Sequence, residues 1–124
     1  MACSRSVLII DDDVDVRETI AEVLQEEGWH VDLAADGREA LGLLREGSAW
    51  PDLILLDLMM PVMDGWQFRA LQRQDPVLGR VPTVLLSADS NLSQKAAALG
   101  AADYLQKPVE FDVLVQTVRK HLPA

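Results

Sequence analysis

The chain has 124 residues, 49% hydrophobic and 25% charged, which is the size of one domain with enough apolar material for a real core. Its net charge of −9 argues against nonspecific binding to nucleic acid or an anionic membrane, and suits a basic partner surface or a bound metal cation. A single cysteine, Cys3, excludes a disulfide within the chain and is expected to be a surface thiol in a reducing cytoplasm; no apolar run reaches membrane-span length, and the first residues lack a secretory leader's apolar region.

In chain order, Val7-Leu-Ile-Ile10 is wholly apolar and reads as a buried strand, about 6–10, ending in Asp11-Asp12-Asp13. A helix over about 14–27 follows, with Val16, Ile20, Val23 and Leu24 on one face and Gly28 ending it. Residues 30–34 alternate apolar and polar, as in a half-exposed strand. Asp36 and Glu39 have capping-box spacing and open a helix that carries Ala40, Leu41 and Leu44 inward and stops near Gly47. Trp50-Pro51 turns into a third strand, 52–57. Asp64 and Gln67 form a second capping box, and their helix, with Phe68 and Leu71, is over by Asp75-Pro76. A fourth strand, 82–87, ends in Ser87. Ser90 or Ser93 is expected to cap the next helix, which turns Leu92, Ala96 and Leu99 inward and stops at Gly100. A short strand, 103–106, runs into Lys107-Pro108. The last helix, about 110–121, sets Phe111, Leu114, Val115, Val118 and Leu122 at helical spacing.

Five strand–helix repeats imply a three-layer α/β/α, doubly wound (βα)5 fold around a parallel sheet. Strands one, three and four are uniformly apolar and belong in the middle; strands two and five are mixed and fit the edges. The flavodoxin-like order 2-1-3-4-5 meets this, and its switch point lies between strands one and three. Ligands bind such sheets beyond the carboxyl ends of the strands. There the unusual polar residues gather: Asp11, Asp12 and Asp13, then Asp57, Ser87 and Lys107. Neighbouring strands are about 5 Å apart, so Asp57 and the first-strand acids can meet. Unpaired, they would raise each other's pKa, and a hard divalent cation relieves that. Oxygen-only ligands suit Mg²⁺, with Mn²⁺ an alternative; the lack of thiols and imidazoles among these strand-end residues disfavours zinc.

The acidic triplet after strand one, Asp57-x-x-Met60-Pro61-x-Met63-Asp64-Gly65, Ser87-Ala88 and Lys107-Pro108 together resemble the receiver domain of two-component response regulators. The resemblance covers residues 1–124 as a single domain. It implies that Asp57 accepts a phosphoryl group from a sensor histidine kinase or a histidine phosphotransfer protein. It also implies that Asp12, Asp57 and the Met59 backbone carbonyl bind Mg²⁺, with Asp11 acting through water. Lys107 would pair with the phosphoryl group and Ser87 would hydrogen-bond it, with Tyr104 swinging inward as Ser87 moves. Met59 and Asp89 occupy the positions that tune acyl-phosphate lifetime in the family. Lys107-Pro108 would be a cis peptide. The output would pass through the face of helix four, strand five and helix five to a protein target or an effector domain. A homodimer is compatible with this; nucleic-acid binding by the domain and membrane insertion are not expected.

Plainer readings stand beside these. Asp13 suits a solvated helix start, Met59, Met60 and Met63 suit packing, and His30 and His121 suit the surface. Tyr104 fits a static edge residue as well as a switch. Two other functions compete. A Mg²⁺-dependent phosphohydrolase with an aspartyl-phosphate intermediate would commonly need an acid two residues past its nucleophile, where Met59 stands. A receiver-like binding module that is never phosphorylated would leave the acids, hydroxyl and lysine without a task.

Overall fold

Five parallel strands pair in the order β2-β1-β3-β4-β5 in the computed structural model, which describes residues 5–123; Cys3 lies outside them. The strands are β1 (Ser6–Ile10), β2 (His30–Ala34), β3 (Leu53–Asp57), β4 (Thr83–Ser87) and β5 (Asp103–Gln106). Between and after them run α1 (Val14–Glu26), α2 (Gly37–Glu46), α3 (Gly65–Gln74), α4 (Leu92–Leu99) and α5 (Phe111–His121), with one short 3₁₀ turn at Leu78–Arg80 that sequence periodicity did not signal. The expected α/β/α architecture and strand order are those observed.

Every residue of β3 and β4 is buried, because helices cover both faces of the sheet. Alternate strand residues therefore feed two cores. Leu8, Ile10, Ile54, Leu56 and Leu85 pack with α2, α3 and α4. Val7, Ile9, Leu53, Leu55, Val84 and Leu86 pack with α1 and α5. The strands meet in register such that Ile10 pairs with Leu56, Asp57 with Leu86, and Ser87 with Gln106. This brings the polar strand ends to one edge. Lys107–Pro108 is cis, as expected.

Several local expectations need correction. Neither Ser90 nor Ser93 caps α4: Asn91 does so from the left-handed region (φ 58), and its side chain makes no cap hydrogen bond. Asparagine tolerates that conformation, and its carbonyl accepts from Gln94 and Lys95. Phe111 is 49% exposed, and within α5 only Leu114 and Val118 are buried. Met59 is exposed, whereas Met60 is buried and Met63 packs on the core. His121 is not a free surface residue; its Nε2 lies 2.9 Å from Asp103 Oδ2. The Asp64–Gln67 capping box is complete, but at α2 the Asp36 side chain takes the Glu39 N–H without a reciprocal bond.

A buried polar network joins α3 to α4. Arg69, only 6% exposed, donates through Nε to Leu99 O (3.0 Å), through Nη2 to Gly100 O (2.8 Å), and through Nη1 to Gln72 Oε1 (2.9 Å) and Thr83 Oγ1 (3.1 Å). Among the described residues no carboxylate forms an ion pair with it; the carbonyls at the negative end of α4 face it instead. Arg69→Met should cost about 3 kcal/mol in urea melts, because it strands buried acceptors. A loss under about 1 kcal/mol would show that water replaces the guanidinium.

Candidate functional site

The carboxyl edge of the sheet holds Asp11, Asp12 and Asp57 so that one oxygen from each lies within 4.8 Å of the others. Asp11 directly follows β1 and is fully buried, Asp57 closes β3 with 3% exposure, and Asp12 is exposed. Asp13 turns outward instead and caps α1 through Val16 N–H, as expected for a helix start. The backbone fixes these groups. Asp11 Oδ1 accepts the Asp13 N–H at 2.9 Å, its carbonyl accepts Arg17 Nη1 at 2.8 Å, and Asp57 Oδ1 accepts the Met59 N–H at 3.2 Å.

Among the described residues, one cation forms ion pairs with them. Lys107 Nζ is 2.8 Å from Asp11 Oδ2 and 3.5 Å from Asp57 Oδ2, and the side chain is 19% exposed. Burial alone would lower the Lys107 pKa, but the hydrogen bond and charge of Asp11, then Asp57, raise it above the ordinary lysine value. Asp57 moves from 3.8 to about 7, pushed up by burial and then by the Asp11 charge; the Met59 N–H, Lys107 and a hydrogen bond involving Asp12 are smaller influences. Lys107 alone ion-pairs with these acids, and the nearby Arg17 guanidinium bonds only the Asp11 carbonyl, so the three carboxylates are incompletely paired. The all-oxygen donor set and this incomplete pairing fit a hard divalent cation.

Ser87 ends β4 buried, its Oγ accepting the Asp89 N–H at 3.1 Å, while the Lys107 N–H donates to Ser87 O at 2.9 Å. Tyr104 points outward, 42% exposed. Asp89 is engaged by Lys95 at 3.0 Å. Lys95 and Arg17 carried no sequence signal, since their partners come from other elements or from the backbone.

The loop between β3 and α3 is tightly wound. A Cβ on Gly65 would stand 2.6 Å from Asp57 O and 2.7 Å from Leu58 Cα, so only glycine lets α3 start against the end of β3. Met63 N–H donates to Pro61 O at 2.7 Å across Val62, whose φ is 66. That is a γ-turn of the rarer hand, strained for a β-branched residue.

The response regulator receiver domain model matches residues 7–119. The alkaline phosphatase synthesis transcriptional regulatory protein SphR of Synechococcus elongatus is 40% identical over 91% of this chain, which spans 47% of SphR, about half its length. Protein PilG of Pseudomonas aeruginosa is 32% identical, over 95% of this chain and 87% of its own. Among solved structures, the chemotaxis response regulator CheY4 of Vibrio cholerae superposes with a TM-score of 0.86 at 33% identity, over 97% of this chain and 100% of that one. The receiver domain of Francisella response regulator 1452 gives 0.85 at 30% identity, over 96% and 97%.

Two outcomes follow from this geometry. Val62→Asn should stabilise the fold by about 1 kcal/mol in urea melts, by relieving the turn; a loss would show that the valine packs usefully. The Asp57 effect has a definite sign. Between 3.8 and about 7 the folded chain keeps a proton that the unfolded chain releases, so metal-free stability falls as pH rises through that window. In EDTA, wild type should be less stable at pH 8 than at pH 5. Asp57→Asn should exceed wild type at pH 8 by about 1–2 kcal/mol, and the reverse order would deny that burial and the Asp11 charge together disfavour the ionised Asp57.

Proposed function

The chain belongs to the receiver-domain family of response regulators, the signalling phosphoacceptors of two-component systems, and from that premise we propose that Asp57 is its acceptor and that residues 1–124 act as one receiver domain. The observation that supports this reading is the buried Asp57 carboxylate, which shares a 4.8 Å cluster of carboxylate oxygens with Asp11 and Asp12 and stands 3.5 Å from Lys107 Nζ. An Asp57 oxygen attacks the phosphorus of a phosphohistidine on a sensor kinase or histidine phosphotransfer protein. The P–N bond breaks, and the imidazole keeps the electron pair and takes up a proton from solvent. Such transfer rests on positioning and charge neutralisation.

Asp12, Asp57 and the Met59 backbone carbonyl would hold Mg²⁺, or Mn²⁺ in its place, with Asp11 acting through water. The ion, when bound, supplies neutralisation of the phosphoryl oxygens. Lys107 swaps part of its ion pairing for the phosphoryl group. Ser87 turns its hydroxyl to a phosphoryl oxygen, and Tyr104 moves inward behind it. Met59 and Asp89 tune how long the acyl phosphate lasts. Met59 is apolar and exposed, so nothing there serves as the general acid of a phosphohydrolase; self-catalysed phosphorylation and dephosphorylation are the only turnover in this reading.

The signal leaves through α4, β5 and α5 to a protein target or an effector domain, and pairing of two copies on that face is compatible with it. No helix among the described residues is long and apolar enough to cross a membrane, and the acidity disfavours nucleic acid. We place the protein in the cytoplasm, where its kinase partners present their histidines.

Acetyl phosphate with Mg²⁺ should add one phosphoryl group, read by intact-protein mass, and should change the fluorescence of Trp66, 40% exposed at the start of α3. Asp57→Asn should abolish both, and Lys107→Met should slow labelling about 100-fold. Labelling that survives Asp57→Asn would move the acceptor elsewhere. A phosphoprotein that turns over small phosphate esters rapidly would instead favour the hydrolase.

A further inference from the structure

Three hydrogen bonds meet at Asp89 in the loop between β4 and α4. Its backbone N–H donates to Ser87 Oγ (3.1 Å), its Oδ2 accepts Lys95 Nζ (3.0 Å), and its carbonyl accepts Gln106 Nε2 (3.1 Å). Each partner stands on a different element. Ser87 ends β4, Lys95 lies in α4, and Gln106 ends β5 directly before Lys107. The Lys95 and Asp89 side chains are only 30% and 34% exposed.

The two ends of α4 are held differently. At the far end, the Leu99 and Gly100 carbonyls accept from the buried Arg69, and Leu99 O also from Arg73. At the near end, Asn91 makes no side-chain cap bond. The Lys95–Asp89 pair is therefore a side-chain tie from the first half of α4 to the Ser87 loop.

We propose that Lys95 is a positioning residue: through Asp89 it holds Ser87 in the orientation belonging to the unphosphorylated state. This rests on the reading of Asp57 as acceptor. A serine hydroxyl has one proton and two lone pairs. When it turns to donate to a phosphoryl oxygen, the Asp89 N–H must follow it or lose its acceptor. Asp89 cannot follow freely while Lys95 holds its carboxylate and Gln106 its carbonyl. An interaction made in one state only biases the equilibrium toward that state, and by linkage its removal favours the ligand of the other. Partly exposed pairs of this kind correspond to a shift of about 1.5- to 5-fold.

The test is titration of the intact protein with beryllofluoride and Mg²⁺, followed by Trp66 fluorescence and by calorimetry. Lys95→Met and Asp89→Asn should each tighten apparent binding about two- to fivefold, and the double variant should tighten no further than either single one. Lys95→Arg should return the wild-type value. A merely structural role would lower the urea midpoint without tightening binding. Wild-type affinity in Lys95→Met, weaker binding, or independent additive effects of the two substitutions would overturn the proposal. Failure of wild type to bind the mimic, or unchanged binding in Asp57→Asn, would instead remove the acceptor reading and this inference with it.

Discussion

Asp11, Asp12 and Asp57 bring three carboxylates to within 4.8 Å of one another with one lysine facing them. Burying a carboxylate and holding like charges that close to it are both unfavourable, and the raised pKa of Asp57 expresses burial first and the Asp11 charge second. The fold sustains it because the hydrophobic sheet beneath is stable enough to carry a poorly compensated edge. All four apolar residues of β3 leading to Asp57 are fully buried, as are the four leading to Asp11. In the proposed function the same imbalance supplies the chemistry: a cation would relieve it, and a cation beside Lys107 would in turn attract a phosphoryl group.

Hydrogen bonding differs on the two sides of that edge, and the difference argues for one more rigid and one more adjustable side. On the rigid side, Gly65 lets α3 start against β3, and Arg69, Gln72 and Thr83 tie α3 to the end of α4. On the adjustable side, the loop after Ser87 is held by single hydrogen bonds to a hydroxyl, an ammonium and an amide. Bonds of that kind can be exchanged at small cost, whereas the guanidinium network cannot be broken without stranding several buried groups. Any rearrangement that follows the charge at Asp57 should therefore run through the Ser87 loop and the near end of α4.

Much of this was legible in the linear chain. Strand positions, their order and the gathering of Asp11, Asp12, Asp57, Ser87 and Lys107 follow from apolar runs that end in polar residues, because a parallel sheet with covered faces admits few arrangements. The capping residues Asp36 and Asp64 were legible for a similar reason: a helix start is a local event with a fixed spacing. Asn91 was not, because its role depends on a left-handed backbone that serine at 90 or 93 would not have signalled.

What the sequence determined by itself was which groups stand at the strand ends, since periodicity and composition act over a few residues. The tertiary structure alone decided their partners. It paired Lys107 more closely with Asp11 than with Asp57, buried Arg69 among carbonyls rather than acids, and gave Asp89 to Lys95. Those pairings join residues from separate elements, and their distances are set by how helices lie on the sheet, which no local pattern encodes.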